Sequence, residues 1–137
     1  MKLLYQASVD GFESINFHNK CDYKGYTVIL IVTETNKIFG GFTELEWSSD
    51  IKNKDGNKGF IFSFSEKKIY YNKNKYRIYC SSYYGPDFYE AFYIIGKTGH
   101  IYKYPPYEYF DFIPKDHNLA WKYEFSIKDY AVFQIDI

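Results

Sequence analysis

The chain lacks the long apolar run and the charge excess that mark several large classes of protein. No apolar stretch approaches the roughly 18–20 residues that a membrane helix needs, and the N-terminal segment turns polar too soon for a signal peptide. Its 17 basic residues equal its 17 acidic residues, so no net field attracts nucleic acid or a membrane surface. We therefore expect a soluble, cytoplasmic protein with no nucleic-acid partner and no membrane insertion.

Cysteine and histidine are also scarce. Cys21 and Cys80 are the two cysteines, and we expect both to be free thiols in a reducing compartment, because two cysteines alone do not make a disulfide framework. The chain has no CxxC pair and no closely spaced histidines, and its Gly40-Gly41 pair lacks the context of a phosphate-binding loop. These absences predict that the protein holds no metal and no cofactor.

Aromatic residues are abundant, with 17 Tyr, 13 Phe and 2 Trp, and they favour half-buried strands. Residues 26–33 are apolar on both faces, as in a central strand, and residues 60–65 alternate Phe with Ile or Ser, which predicts a strand with one heavily aromatic face. The whole pattern comprises eight or nine short strands, many turns and one clear helix. It predicts a mainly β fold, a two-sheet antiparallel β-sandwich flanked by short helices, in a single domain over residues 1–137.

The residue patterns of several segments predict local structure in more detail. Residues 37–47 complete a hairpin, in which Gly40 and Gly41 mark a bulge or a close backbone approach. Residues 48–59 predict a polar loop whose one candidate for the core is Ile51, and residues 87–96 predict a single strand. Two further strands are expected near the C-terminus.

The one clear helix spans residues 10–21, where Asp10 is the expected N-cap and Glu13 completes a capping-box pattern. A helical wheel places Ile15, His18 and Cys21 on the inward arc. His18 in principle activates the Cys21 thiol toward peroxide, but a buried cysteine behaves as a small hydrophobe. We therefore favour a structural role for Cys21.

The order of these pieces resembles the TLDc domain family, in the form found in unicellular eukaryotes. The resemblance runs over nearly the whole chain and is most specific in its first half, while Val9 and Ala131 depart from the family pattern. It implies a β-sandwich with flanking helices, no established catalytic mechanism, protection against oxidative stress, and binding to the vacuolar proton-pumping ATPase. The matching motif residues are Asp10, Gly11, Phe12, Phe17, His18, Lys20, Cys21, Asp22, Phe39, Gly40, Gly41 and Trp47.

Two surface candidates lie outside these motifs. The proline-containing segment 100–112 has four tyrosines that are expected to contact a partner, to stack on sugar rings or simply to pack on the fold: Tyr102, Tyr104, Tyr107 and Tyr109. Glu44 and Glu46 share a strand face at a spacing of about 7 Å, which suits a glycosidase, although two solvated carboxylates are the commoner arrangement.

The leading hypothesis from the sequence is a non-enzymatic interaction domain that binds a protein partner, with vacuolar ATPase subunits as the partner that the resemblance implies. The alternatives are a carbohydrate-binding domain with a tyrosine platform and, ranked last, a thiol-dependent antioxidant enzyme that uses Cys21.

Overall fold

A computed structural model of the chain describes residues 1–71, 75–89, 91–102 and 124–136. Two short helices and eleven strands make up the described part. The helices are α1 (Ala7–Asp10) and α2 (Ser14–Cys21). The strands are β1 (Lys2–Gln6), β2 (Thr27–Thr33), β3 (Ile38–Thr43), β4 (Lys52–Gly56), β5 (Phe60–Ser63), β6 (Lys68–Tyr71), β7 (Tyr76–Cys80), β8 (Asp87–Phe88), β9 (Phe92–Ile95), β10 (Thr98–Ile101) and β11 (Glu124–Gln134).

The strands form one continuous antiparallel sheet in the order β4-β7-β8-β9-β10-β11-β2-β3-β5-β6, and β1 also pairs with β11. The long strand β11 joins the two halves, because its first residues pair with β10 and its later residues pair with β2. The prediction of a mainly β chain with short helices is confirmed. The structure describes one sheet where the sequence predicted two.

The core lies where the two halves of the sheet approach each other. The Phe39 ring of β3 lies 5.3 Å from the Phe92 ring of β9 and 5.3 Å from the Phe125 ring of β11, measured between ring centroids. On β2, Ile29 and Ile31 are fully buried, while the alternate residues of that strand are half-buried. Each half therefore has an inner face that packs in the core and an outer face that points away from it.

The predicted helix begins later than expected. Glu13 is the N-cap of α2 and forms a capping box with Asn16, while the Asp10 carboxylate accepts the backbone N–H of Gln6, 2.9 Å away. Gly11 has φ +109°, a conformation that interrupts the helix between the two segments. Ile15 was expected to face inward and is instead 59% exposed.

Three other segments differ from expectation. Residues 48–59 contain β4, which pairs with β7 through its backbone and carries lysines in place of core residues, and Ile51 is 69% exposed. Residues 87–96 form a hairpin of β8 and β9 with Phe88 opposite Phe92, since the backbone N–H of Ala91 donates to the Phe88 carbonyl at 2.9 Å and closes the turn. Within the described C-terminal residues 124–136 one strand, β11, takes the place of two, with an irregularity between Ile127 and Asp129.

Candidate functional site

The side chain of His18 ties α2 to the loop that follows β7. Its Nδ1 atom lies 2.6 Å from Oδ1 of Asp22, and its Nε2 atom lies 2.8 Å from the carbonyl oxygens of both Ser81 and Tyr84. The two carbonyl oxygens can only accept, so Nε2 is the donor to them, and both ring nitrogens lie within hydrogen-bonding distance of groups in the fold. Because His18 is only 5% exposed, its ring is committed to structure and is closed to a substrate.

Cys21 lies in the core beside the same helix face. It has no exposed surface, and burial raises the pKa of its thiol, an effect that the neighbouring Asp22 carboxylate increases. The nearby rings of Phe17 and Trp47 lie 5.7 Å apart and are also fully buried. A protonated, inaccessible thiol is a poor nucleophile, so these positions favour packing over redox chemistry.

The Asp10-Gly11-Phe12 motif fixes the entry to α2. The Gly11 carbonyl accepts the Tyr5 hydroxyl, and a Cβ at Gly11 would lie 2.5 Å from the side-chain oxygen of Asn16. Phe12 packs against Tyr130 of β11, with 6.5 Å between the ring centroids. The motif therefore joins the helical segment to the centre of the sheet.

The paired glycines of β3 provide close approach on both faces of the sheet. A Cβ at Gly41 would lie 2.6 Å from the Phe88 ring on the inner face, and one at Gly40 would lie 1.8 Å from the Ile29 carbonyl oxygen of β2 and 2.9 Å from the Phe62 ring on the outer face. The register of β3 against β2 is continuous across both glycines, so the strand contains no bulge there. Of the two roles predicted for these residues, close approach is the correct one.

Trp47 completes this scaffold at the end of the β2–β3 hairpin. Its indole N–H donates to the Thr27 hydroxyl at 3.1 Å, and its carbonyl accepts the backbone N–H of Tyr23. Its ring contacts the Phe88 ring at 5.7 Å between centroids. The described contacts of the motif residues are thus contacts within the fold.

The outer face of β3, β5 and β6 carries a continuous band of rings, which we call the outer aromatic face. The rings of Phe42 and Phe60 stack at 5.3 Å, and Phe60 also lies 5.7 Å from Tyr71. Phe64 is 61% exposed and Tyr71 is 57% exposed. The face is defined by Phe42, Phe60, Phe62, Phe64, Ile69 and Tyr71.

A groove of about 420 Å³ opens on this face. Its floor is formed by the side chains of Phe60, Phe62, Phe64 and Ile69, and lysines lie beside it at positions 67 and 68. Exposed apolar surface with a charged rim is the usual character of a protein-binding patch.

The outer face of the other half of the sheet is rich in tyrosine. A cavity of about 330 Å³ opens there, with the exposed Asn53 at its margin. Its tyrosines are half-buried, and neighbouring rings lie 5.1 to 5.9 Å apart at interplanar angles of 51 to 58°. We call this cavity the tyrosine pocket; its five tyrosines are Tyr79, Tyr84, Tyr89, Tyr93 and Tyr102.

The carboxyl group of Asp87 lines the tyrosine pocket and is 1% exposed. The Tyr102 hydroxyl lies 2.9 and 3.1 Å from its two oxygens. Burial raises the pKa of Asp87 to about 8, and the hydrogen bond from Tyr102 opposes that rise. A carboxyl held in this way is sensitive to any charge that enters the pocket.

The family-model comparison matches residues 1–136 to the TLDc domain, which is essentially the whole chain. The chain belongs to the TLDc family. No curated protein matches it. In this TLDc domain the motif residues predicted from the sequence all lie among the described residues, and His18 with Asp22, and Phe17 with Trp47, are brought into contact.

The four predicted contact tyrosines have different outcomes. Tyr102 lies in the tyrosine pocket, half-buried, with its hydroxyl directed at Asp87. Tyr104, Tyr107 and Tyr109 lie outside the described residues, so their predicted role stays a prediction.

The predicted carboxylate pair is asymmetric. Glu44 accepts the backbone N–H groups of Asn57 and Lys58 and the Tyr76 hydroxyl, while Glu46 is exposed. Burial works to raise the pKa of Glu44, but these hydrogen bonds outweigh it and lower the pKa, which does not suit a general acid.

Among the described residues, no group of three or more His, Cys, Asp or Glu is placed to hold a metal ion, and no helix is long and apolar enough to cross a membrane.

Sequence reasoning missed two features of the surface. The alternation of residues 60–65 indicated an aromatic face but not that this face points outward, and Asp87 attracted no attention as one acid within an aromatic segment. The residue that could have indicated the outward aromatic face is Gly40. It lies opposite Phe62 in the register and leaves room for that ring on the outer face.

Proposed function

We propose that this TLDc domain acts by binding a protein partner and not by catalysis, and that the outer aromatic face is its contact surface. The observation that carries the proposal is the exposure of Ile69 and Tyr71 on β6 and of Phe64 in the turn that connects β5 to β6, where 49%, 57% and 61% of their surfaces remain in contact with water. Burying such rings against a partner is favourable by about 25 cal/mol for each Å² of apolar surface removed from water.

Charge at the groove indicates the kind of segment that fits. Lys67 borders the apolar floor, whereas the Lys68 ammonium lies over the ring of buried Tyr70, so a partner with an apolar side chain beside a carboxylate is complementary in both shape and charge. Strand β6 lies at the end of the described sheet path, next to this groove. A partner seated on the face therefore has both rings and strand backbone within reach.

The TLDc resemblance makes a subunit of the vacuolar proton-pumping ATPase the expected partner, in a cytoplasmic and stress-protective context. The structural role of the motif residues supports binding over catalysis, because His18 and Cys21 are buried and held within the fold. The burial of Cys21 also argues against the thiol-dependent antioxidant function.

Affinity purification of the tagged domain from its native cell tests this proposal. We expect pump subunits with the wild-type domain and their loss with Phe64→Ser combined with Ile69→Ser. The matched control is Ile15→Ser, which removes an equally exposed apolar residue from α2. Repeated recovery of partners without pump subunits would remove the pump assignment, and unchanged recovery by the double variant would remove the face assignment.

A carbohydrate-binding function has weaker support. Sugar rings stack best on flat, exposed aromatic surfaces, whereas the tyrosines of the pocket are half-buried and tilted at 51 to 58° to one another. They enclose a concave space around a carboxyl group. Glycan-array binding that disappears in Tyr93→Leu would restore this alternative.

A further inference from the structure

The position of Asp87 is unusual for an acidic residue. It pairs with Tyr93 across the β8–β9 hairpin, where Phe88, the next residue, points into the core. Because neighbouring residues of a strand point to opposite faces, Asp87 faces outward, and it is the surrounding rings that bury it. Acidic residues on an outer face are usually solvated, so a carboxyl enclosed there calls for an explanation.

The described contacts of Asp87 leave its negative charge without a cation. Tyr102 donates to the carboxyl oxygens at 2.9 and 3.1 Å, and one phenol hydroxyl supplies a single hydrogen for two oxygens. Arg77 of β7 lies with its guanidinium over the Tyr89 ring at 5.6 Å, and its Nε donates to Asp55 at 2.7 Å. A buried carboxylate is stable only with a compensating charge, so the site is complete either protonated or with a bound cation.

The rings around the carboxyl are arranged to receive such a cation. Tyr102 lies 5.5 Å from Tyr89 and 5.1 Å from Tyr93, and Tyr93 lies 5.7 Å from Tyr84, so the rings form a curved wall and not a parallel stack. The electron-rich faces of aromatic rings attract alkylammonium groups, and several rings around one charge form an aromatic cage. A cavity of about 330 Å³ accommodates a group of this kind.

We propose that the tyrosine pocket binds an alkylammonium group, with the tyrosine rings around the positive charge and the Asp87 carboxylate as its counter-ion. The ammonium group comes from a small organic cation or from a lysine side chain of another protein, since the chemistry is the same. This site lies on a different face from the outer aromatic face and does not depend on the function proposed above.

The pocket should also couple binding to proton release. Burial raises the pKa of Asp87 to about 8, so the carboxyl is mostly protonated at neutral pH and loses its proton when a cation enters. Burial likewise raises the pKa of Tyr93 and Tyr102, and the Asp87 charge adds to both, so these phenols stay neutral while Asp87 titrates. His100 stacks on Tyr93 at 4.7 Å between ring centroids, and its Nδ1 atom lies 3.7 Å from a Glu124 oxygen.

Titration of the intact domain with choline, followed by tyrosine fluorescence and calorimetry, tests the proposal. Because choline carries a permanent charge, any change of its affinity with pH arises from titration of the protein. We expect saturable binding that strengthens by roughly tenfold or more between about pH 6 and about pH 9, in step with ionisation of Asp87. Dimethylbutanol, the neutral carbon isostere of choline, should not bind.

Single substitutions separate the contributions of the carboxyl group and of the rings to choline binding. Asp87→Asn keeps the shape and an acceptor for Tyr102, and we expect it to weaken choline binding about tenfold or more at about pH 9, where Asp87 is ionised, and to abolish the pH dependence. Tyr93→Leu should weaken binding several-fold, on the order expected for one ring. Tyr23→Leu, which removes an exposed ring outside the tyrosine pocket, should leave both the affinity and its dependence on pH unchanged, and His100→Gln, which removes the neighbouring titratable ring, should retain the dependence on pH.

A peptide with one trimethyllysine distinguishes the two sources of the ammonium group. Tighter binding of the peptide than of choline indicates a protein ligand, and equal affinity indicates a small cation. The proposal is overturned if choline shows no saturable binding at about pH 9, if the neutral isostere binds as well as choline, or if folded Asp87→Asn behaves like wild type. None of these results affects the test of the outer aromatic face.

Discussion

The Nδ1 atom of His18 lies 2.6 Å from Oδ1 of Asp22, one helical turn further along the chain, at the end of α2. The other oxygen of Asp22 accepts the Ser49 hydroxyl at 2.7 Å, while Nε2 of His18 contacts the carbonyls of Ser81 and Tyr84. One buried histidine and one carboxylate thus join the helix, the end of the hairpin and the loop after β7.

We predict that His18→Ala lowers the free energy of unfolding by about 2–3 kcal/mol, because two buried carbonyl groups lose their donor. Urea denaturation of both proteins measures the difference. Asn19→Ala, an exposed residue on the same helix, is the control and should change the free energy by no more than about 0.5 kcal/mol. A loss as small as that of the control would show that His18 does not hold these elements together.

The contact between Gly41 and Phe88 gives a second prediction. A Cβ at position 41 would lie 2.6 Å from the ring, so Gly41→Ala should destabilise the fold by about 1–3 kcal/mol. In the background of Phe88→Leu, whose smaller side chain leaves space, the same substitution should cost less. Thermal unfolding of the four proteins measures this coupling, and strictly additive effects would contradict the proposed contact.

The thiols should be unreactive in the folded domain. Cys21 is fully buried and Cys80 is 1% exposed, and burial raises the pKa of the Cys21 thiol. We expect modification by Ellman's reagent at neutral pH to be slower than that of a free cysteine by about a hundredfold or more, and to become complete in denaturant. Rapid modification of Cys21 in native Cys80→Ser protein would instead support a redox role.

Asp87 should make the domain less stable as the pH rises. Its pKa is about 8 in the folded protein because of burial, above the usual value near 4 in an unfolded chain, so the native state holds the proton more tightly. Between these two values the unfolded state binds fewer protons, and the free energy of unfolding therefore falls with increasing pH.

The expected fall is on the order of a few kcal/mol between about pH 5 and pH 8, and it should be absent in Asp87→Asn. Glu44 and Asp129 do not produce such a fall. Burial favours a higher pKa for both carboxyl groups, but their hydrogen bonds outweigh it and hold both pKa values below the usual range, so these groups change the stability only at lower pH. Urea denaturation at several pH values measures the difference between wild type and variant. Parallel curves for the two proteins would contradict a buried, protonated Asp87.

The sequence predicted the burial of His18 and Cys21 on α2, because a 3.6-residue period places both on one side of the helix, but it wrongly placed Ile15 on the same side. It did not predict β4, since an edge strand is held by backbone pairing with β7 and needs no apolar pattern. The burial of Asp87 could not be predicted from the sequence, for a different reason. The rings that enclose it come from separate strands and loops, and only the register of the sheet brings them together.

The central claim is that the motif residues of this TLDc domain hold the fold, whereas binding takes place on the outer aromatic face. The most direct measurement is partner recovery per mole of folded domain for the Phe64→Ser, Ile69→Ser double variant, with stability measured on the same preparation. We predict near wild-type stability, within about 1 kcal/mol, and loss of the partner. Full partner recovery by this variant, with loss of the partner in folded His18→Ala, would contradict the account.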